Sequence, residues 1–266
     1  MKTTPIAVLA YALLSSLVPL AWAEDLRDLS TDRPDTTESP YSVDQGRFQL
    51  EAELLSYGRD VTEGTTTTTW ASNLNFKYGL SDHADLQVIG EHLRVDSTGA
   101  DAVTGLGDLT VRLKYNLWGQ GPGDQPTAFA LMPYITLPTH RETFDSLLGD
   151  DPAFGLIAPL GFSLPNGWSS TVMAQLDIFR NDEDDAWTSQ LLLSMTACHA
   201  ITADLAGFVE LVSISRAESD ATSEAYCDFG LTHALSDLIQ LDAGANLGLT
   251  RDSEDLRVFT GFSTKF

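Results

Sequence analysis

Residues 256–266 divide by parity. Leu256, Val258, Thr260, Phe262, Thr264 and Phe266 fall on one side, and Arg257, Phe259, Gly261, Ser263 and Lys265 on the other. That is the period of a strand with one apolar and one mostly polar face. The alternation recurs upstream. Leu109, Val111, Leu113, Tyr115 and Leu117 oppose Thr110, Arg112, Lys114 and Asn116, and Leu241, Ala243, Ala245, Leu247 and Leu249 oppose Gln240, Asp242, Gly244, Asn246 and Gly248. Twelve such runs, bounded by turn residues, are predicted at 47–59, 68–80, 84–96, 106–118, 127–138, 154–165, 168–180, 187–199, 203–216, 223–234, 238–250 and 255–266. The third run slips, with Leu86 and Val88 on one parity and Leu93 and Val95 on the other. A β-bulge near Gly90 accounts for it, and so does a misplaced strand. No long stretch has the apolar spacing of an amphipathic helix, so the class is all-β.

The links alternate as well. Ser81–His83, Pro165–Gly167, Ala200–Thr202 and Leu235–Asp237 are short, and Asn166-Gly167 is a tight-hairpin signal; Gly119–Pro126 is a longer exception. The other set is longer and acidic, with Thr139–Ala153 and the Asp182-Glu183-Asp184-Asp185 run. Runs of about 12 residues suit tilted membrane strands, whereas sandwich strands average about five or six. The pattern predicts a 12-stranded antiparallel outer-membrane β-barrel over residues 46–266, with short periplasmic turns, longer acidic extracellular loops and both termini at the periplasmic end. A secreted β-sandwich is the structural competitor. An aromatic C-terminus suits the barrel, making Phe266 the expected assembly signal for the barrel-assembly machinery.

Ahead of the barrel, Lys2, the apolar run Ile6–Leu20 and Ala21-Trp22-Ala23 read as a signal peptide, 1–23. Residues 24–45 are polar, Pro-punctuated and aperiodic, and read as an extended periplasmic lead-in. The formal charge of −23 argues against nucleic acid as a partner. Cys198 falls on a polar face and Cys227 on an apolar one, so two free thiols are expected. No His or Cys pair has metal-ligand spacing, and no cofactor is implied.

If the apolar parity meets lipid, the polar parity lines a lumen: Glu51, Glu53, Asn73, Asn75, Lys77, Asp85, Gln87 and Glu91, then Arg112, Lys114, Asn116, Gln175, Asp177, Glu210, Asp228, Asp242, Asn246 and Arg257. An interior so charged is either wet or internally paired. The first case is a conduit for small-molecule solutes; the second is a side-chain-filled structural barrel. Arg257 and Lys265 share the lumen side, where acids such as Glu51 and Glu53 are available to pair with them. The five histidines (83, 92, 140, 199 and 233) lack a Ser partner at strand spacing, which leaves a barrel lipid hydrolase as a weak alternative with no catalytic residue assigned. The acidic loops are a solvated surface or a divalent-cation site near lipopolysaccharide.

Thr31-Asp32-Arg33-Pro34-Asp35, Glu38-Ser39-Pro40 and Gly46-Arg47-Phe48-Gln49-Leu50-Glu51 resemble the family of the MetA-pathway of phenol degradation. Asn75–Leu80, Gly105–Leu109 and Leu137-Pro138-Thr139 extend the resemblance over nearly all of the mature chain. It implies an outer-membrane location and a transport role for aromatic or other small organic compounds. The Asp-Arg-Pro opening carries its own alternatives: with Asp32 and Arg33 it is a partial plug reaching toward Glu51, Glu53 and Asp242, an anchor for a periplasmic partner, or a tether at the rim.

Overall fold

A computed structural model describes residues 26–99, 101–120, 125–139, 151–181, 186–217 and 223–266. The predicted signal peptide lies outside them, as do Asp182–Asp185 and most of the link between 139 and 153. The described residues form thirteen strands: β1 (Phe48–Thr62), β2 (Thr65–Ser81), β3 (Ala84–Thr98), β4 (Asp101–Gly105), β5 (Leu109–Trp118), β6 (Thr127–Leu137), β7 (Ala153–Ser163), β8 (Trp168–Arg180), β9 (Trp187–Ala200), β10 (Leu205–Arg216), β11 (Ser223–Ser236), β12 (Ile239–Gly248) and β13 (Leu256–Lys265).

All pairings are antiparallel, and β13 returns to β1, closing the sheet. Strands β4 and β5 lie end to end along β3, β4 on Arg94–Thr98 and β5 on Ala84–Gly90. They share one place in the wall, so the barrel has twelve strands. The strand expected at 106–118 therefore begins only at Leu109, and β4 falls in the stretch expected to be a link. Residues 106–108 leave the ladder, with the Gly107 N–H still donating to the Glu91 carbonyl at 2.9 Å.

Burial is inverted relative to a water-soluble protein. Leu193, Met195, Val209 and Leu211 are 50–58% exposed, while Lys77, Lys114, Gln87, Glu51 and Asp85 are at most 1% exposed. Aliphatic side chains left in water each cost about 1–3 kcal/mol, so this belt belongs against hydrocarbon. The charged parity turns inward.

The slip in the third run is a bulge. Ser72 pairs with Leu93 and Asn73 with Glu91, leaving His92 without a partner in the ladder. The extra residue reverses parity, so Leu86, Val88 and Leu93 all face outward at 38% exposure. Leu54 is skipped in the same way between Glu53 and Leu55, and both leucines face outward. Strands β1 and β2 run beyond the predicted 59 and 68 to a two-residue turn, Glu63-Gly64, whose φ values of 53° and 83° are those of a type I′ hairpin. Asn166-Gly167, at 61° and 75°, forms the tight turn its sequence signals.

Inside the wall, three inward aromatics lie over cross-strand glycines: Tyr134 over Gly155, Phe208 over Gly230 and Phe259 over Gly244. Each ring occupies the space a Cβ would need, which lets the rings lie flat against the strongly curved sheet.

Residues 26–47 precede the first strand without joining the sheet ladder. They fold into the short-turn half of the lumen, where Asp32, Thr37, Ser42 and Val43 are buried. Arg27 anchors their entry, donating to Asp44 at 2.8 Å and to the Asp82 carbonyl at 2.8 Å.

Candidate functional site

The site is the contact between residues 26–47 and the lumen wall, and alternate inward positions on neighbouring strands build it. Lys77 (β2), Asp85 and Gln87 (β3), and Arg112, Lys114 and Asn116 (β5) form one patch with Glu51 of β1. The Asp32 carboxylate sits at its centre. Oδ2 lies 2.5 Å from Lys77 Nζ and 3.3 Å from Arg112 Nη2, and Oδ1 lies 2.6 Å from Lys114 Nζ. The Ser39 N–H adds a bond to Oδ1 at 2.9 Å. Each cation has a second acceptor: Glu51 for Lys77, Glu38 and Gln87 for Arg112, and the Tyr41 carbonyl for Lys114. Asn116 donates to the Pro40 carbonyl at 2.9 Å, and Asp85 accepts from the Val43 N–H at 2.9 Å.

Burial alone would raise the Asp32 carboxyl, but Lys114, Lys77 and Arg112 together outweigh it and hold the group well below the usual carboxylate range. The balance is opposite at Glu38, where burial pushes the carboxyl up to about 7 despite Arg112.

The facing wall binds the segment differently. Arg33 spans to Asp242 at 2.8 Å and to Glu53 at 3.6 Å, with its guanidinium 5.9 Å from the Phe259 ring centre. The Thr36 and Thr37 N–H groups both donate to Glu210 at 2.8 Å, and Thr36 Oγ1 donates to Asp228 at 3.5 Å. Glu210 and Asp228 are direct cross-strand partners, and among the described residues neither has a Lys or Arg in hydrogen-bond contact. Asp35 stands beside them, its carboxyl raised well above the usual value by burial and by Glu210.

Other predicted lumen residues make no direct contact with the segment in hydrogen bonds or ion pairs among the described residues. Asn73 donates to Glu53 at 3.1 Å and Asn75 to Gln87 at 3.4 Å. Asp177 accepts from Gln175, Gln190 and the Tyr134 hydroxyl. Arg94 reaches Asp96 at 2.7 Å and Glu91 at 3.9 Å. Asn246 is half-buried opposite Arg257.

Arg257 and Lys265 take other acids than Glu51 and Glu53. Arg257 pairs with Glu254, at 2.9 Å, because the loop before β13 folds the carboxylate back over the strand. Lys265 pairs with Asp44 at 2.8 Å and with the Arg27 carbonyl at 2.5 Å, because the entering segment covers the start of β1. Glu51 takes Lys77 instead, and Glu53 takes Arg33.

An apolar lumen stripe escaped the sequence reading. Met132, Ile157, Met173, Leu192 and Val212 are buried together on β6–β10, with Tyr134, Ile214 and Tyr226 packed against them. The Glu38 N–H lies 3.2 Å from Met173 Sδ, so the stripe meets the segment at Glu38. Its signal was present: Phe154, Leu156 and Ile157 put apolar residues on both parities of one run. Near the stripe's short-turn end, a cavity of about 270 Å³ lies between the segment and the wall, lined by Asp35, Thr37, Glu38, Ser170, Thr196 and Cys198. Cys227 lies on the outward face between Leu211 and Leu247. His92 and His233 are exposed; His233 contacts the Asp204 carbonyl at 3.2 Å.

An apolar outer belt, a closed antiparallel wall and a charged interior define a transmembrane β-barrel of the bacterial outer membrane. The chain belongs to the family described as "Putative MetA-pathway of phenol degradation", whose model matches residues 31–266. The structure is similar to that of the COG4313 outer membrane channel from Pseudomonas putida F1, with a TM-score of 0.70, 14% identity, 89% of this chain covered and 100% of that one. It is also similar to the NanC porin, at 0.54 and 9%, covering 82% and 98%. The β domain of the Bordetella autotransporter BrkA gives 0.52 and 16%, covering 84% and 100%. These likenesses are of fold. A search of curated proteins finds no match to the sequence.

Proposed function

We propose that this protein is a passive outer-membrane channel for small solutes, aromatic and other organic compounds among them, and that residues 26–47 are its internal plug. The observation that carries the reading is how the lumen is filled. One continuous segment enters beside β1 and occupies part of the lumen, held by side-chain ion pairs and hydrogen bonds rather than by a strand ladder. Such a segment can be displaced without opening the wall. Solute class is read from the lumen beyond it, where the Met132–Val212 stripe shares the interior with a polar sector of half-buried Asn73, Asn75, Asn246 and Arg257. A one-sided apolar surface suits a flat organic solute better than a sugar. The other polar lumen residues, Gln175 and Asp177 among them, are assigned to the conduit wall. Phe266 is assigned to recognition by the barrel-assembly machinery, and the outer belt to lipid and lipopolysaccharide.

Planar-bilayer recording tests this. The full-length protein should give small or infrequent conductance steps, and deletion of residues 26–40 should enlarge them. Liposome swelling with aromatic acids, amino acids and sugars then ranks the solutes. A second reading, a filled structural barrel, is favoured by the buried pairing of Lys77, Arg112 and Lys114. Silent bilayers from both proteins would select it.

A further inference from the structure

Asp32 is held as a bound ligand would be. Its two oxygens are divided between cations, Lys114 on Oδ1 and Lys77 with Arg112 on Oδ2, and a backbone N–H completes Oδ1. The three cations stand on β2 and β5, so the rigid sheet fixes their spacing whether or not the segment is present. With the segment seated, Asp32, Glu38, Glu51 and Asp85 balance the patch. Without it, Lys77, Arg112 and Lys114 face only Glu51 and Asp85 on the wall, leaving a net positive patch open to the lumen. Such a patch concentrates anions from the water that then fills the lumen. A planar, two-oxygen anion matches the donor arrangement, and the apolar stripe at Met173 can take a hydrophobic body attached to it.

We infer that this three-cation cradle is a receptor for the carboxylate of small organic acids, which compete with Asp32 and thereby unseat residues 26–47. The inference rests on the plug reading for its consequence, but the binding site stands independently of conduction. Asp32 is tethered, so it competes at an effective concentration of about a millimolar or more. A free acid therefore acts in roughly that concentration range, and its apparent affinity is reduced by the small fraction of time the cradle is vacant.

The test uses the full-length protein in detergent, with benzoate as the probe and benzamide as its uncharged counterpart, at constant ionic strength. Proteolysis between residues 26 and 40 should accelerate saturably with benzoate and not with benzamide or added chloride. Calorimetry on Asp32→Asn should show benzoate binding about tenfold or more tighter than to the unsubstituted protein, because the tethered competitor has been removed. Equal responses to benzoate and benzamide would overturn the inference, as would unchanged affinity in Asp32→Asn. If that variant does not fold, the proteolysis comparison decides alone. Benzoate-specific proteolysis with silent bilayers would uphold the cradle while rejecting the channel.

Discussion

Phe48 and Phe266 exchange two backbone hydrogen bonds, each of 2.9 Å, and their rings stack with centroids 5.9 Å apart. The pair is the short-turn end of the seam between β1 and β13. Phe48 also packs on Phe76 and Tyr78, so an aromatic cluster spans three strands at the line where the sheet closes. Deleting Phe266 removes both bonds and one ring from that cluster. The folded fraction, read from the mobility of unheated samples on gels, should fall well below that of the full-length protein. Lys265→Met, one residue away but inward, should fold better than the deletion. Equal folding of the two would overturn the assignment of Phe266 to assembly.

Arg33 is the other tether with a clear expected effect. Its removal strands Asp242, whose side chain is fully buried, and leaves Glu53 with Asn73 and Ser56 as its remaining partners. Leaving a buried charge unpaired costs about 3 kcal/mol or more. That cost falls on the seated segment, not on the wall. Arg33→Gln should therefore speed proteolysis of residues 26–40 by about a hundredfold while shifting the melting temperature of the barrel little. A large barrel shift with an unchanged segment would show the opposite distribution.

Two carboxyls of the segment itself titrate with opposite signs. Glu38, raised from 4.5 to about 7, binds its proton more tightly when seated, so that stabilisation is lost as the pH climbs between those values. Asp32 is lowered from 3.8, so its contribution is complete above that value and is lost as the pH falls through its seated range. The segment should be held best at about pH 5 and more loosely at about pH 8. Proteolysis at the two values checks this. Glu38→Gln should reduce the difference, leaving the part that the raised Asp35 contributes with the same sign, and a flat response in the unsubstituted protein would show that Glu38 does not govern seating.

The wall was legible because period-2 alternation and turn residues act locally. The apolar parity at Leu109–Leu117 specifies a lipid-facing strand without knowledge of its neighbours. Even the slip between Val88 and Leu93 carried its cause, since one unpaired residue is the simplest way to reverse parity. Partners of the inward charges were not legible, because they depend on where an aperiodic segment goes. Arg257 finds Glu254 and Lys265 finds Asp44 through loop and segment paths that no strand period encodes. Arg33 lies against Glu53 and Asp242 but not against Glu51, which takes Lys77. The Met132–Val212 stripe was hidden for a different reason: with both parities apolar, alternation does not distinguish lipid from lumen.

Tyr134 and Gly155 give the sharpest check on lumen packing. They are cross-strand partners on β6 and β7, and a Cβ on Gly155 would overlap the Tyr134 ring. That ring is also fixed at its hydroxyl, which contacts Asp177 and accepts from Gln175 at 3.0 Å, so it has little freedom to withdraw. Gly155→Ala should therefore cost about 1–3 kcal/mol, the usual penalty for overfilling a packed interior. In a Tyr134→Ala background the obstacle is gone, and the same substitution should cost little, because alanine suits a strand better than glycine. The difference is a coupling energy of about 1–2 kcal/mol between the sites, measurable by denaturant unfolding of the four proteins in a double-mutant cycle. Strictly additive effects would mean that the ring does not lie over Gly155, and that the curvature of β6 and β7 comes from elsewhere.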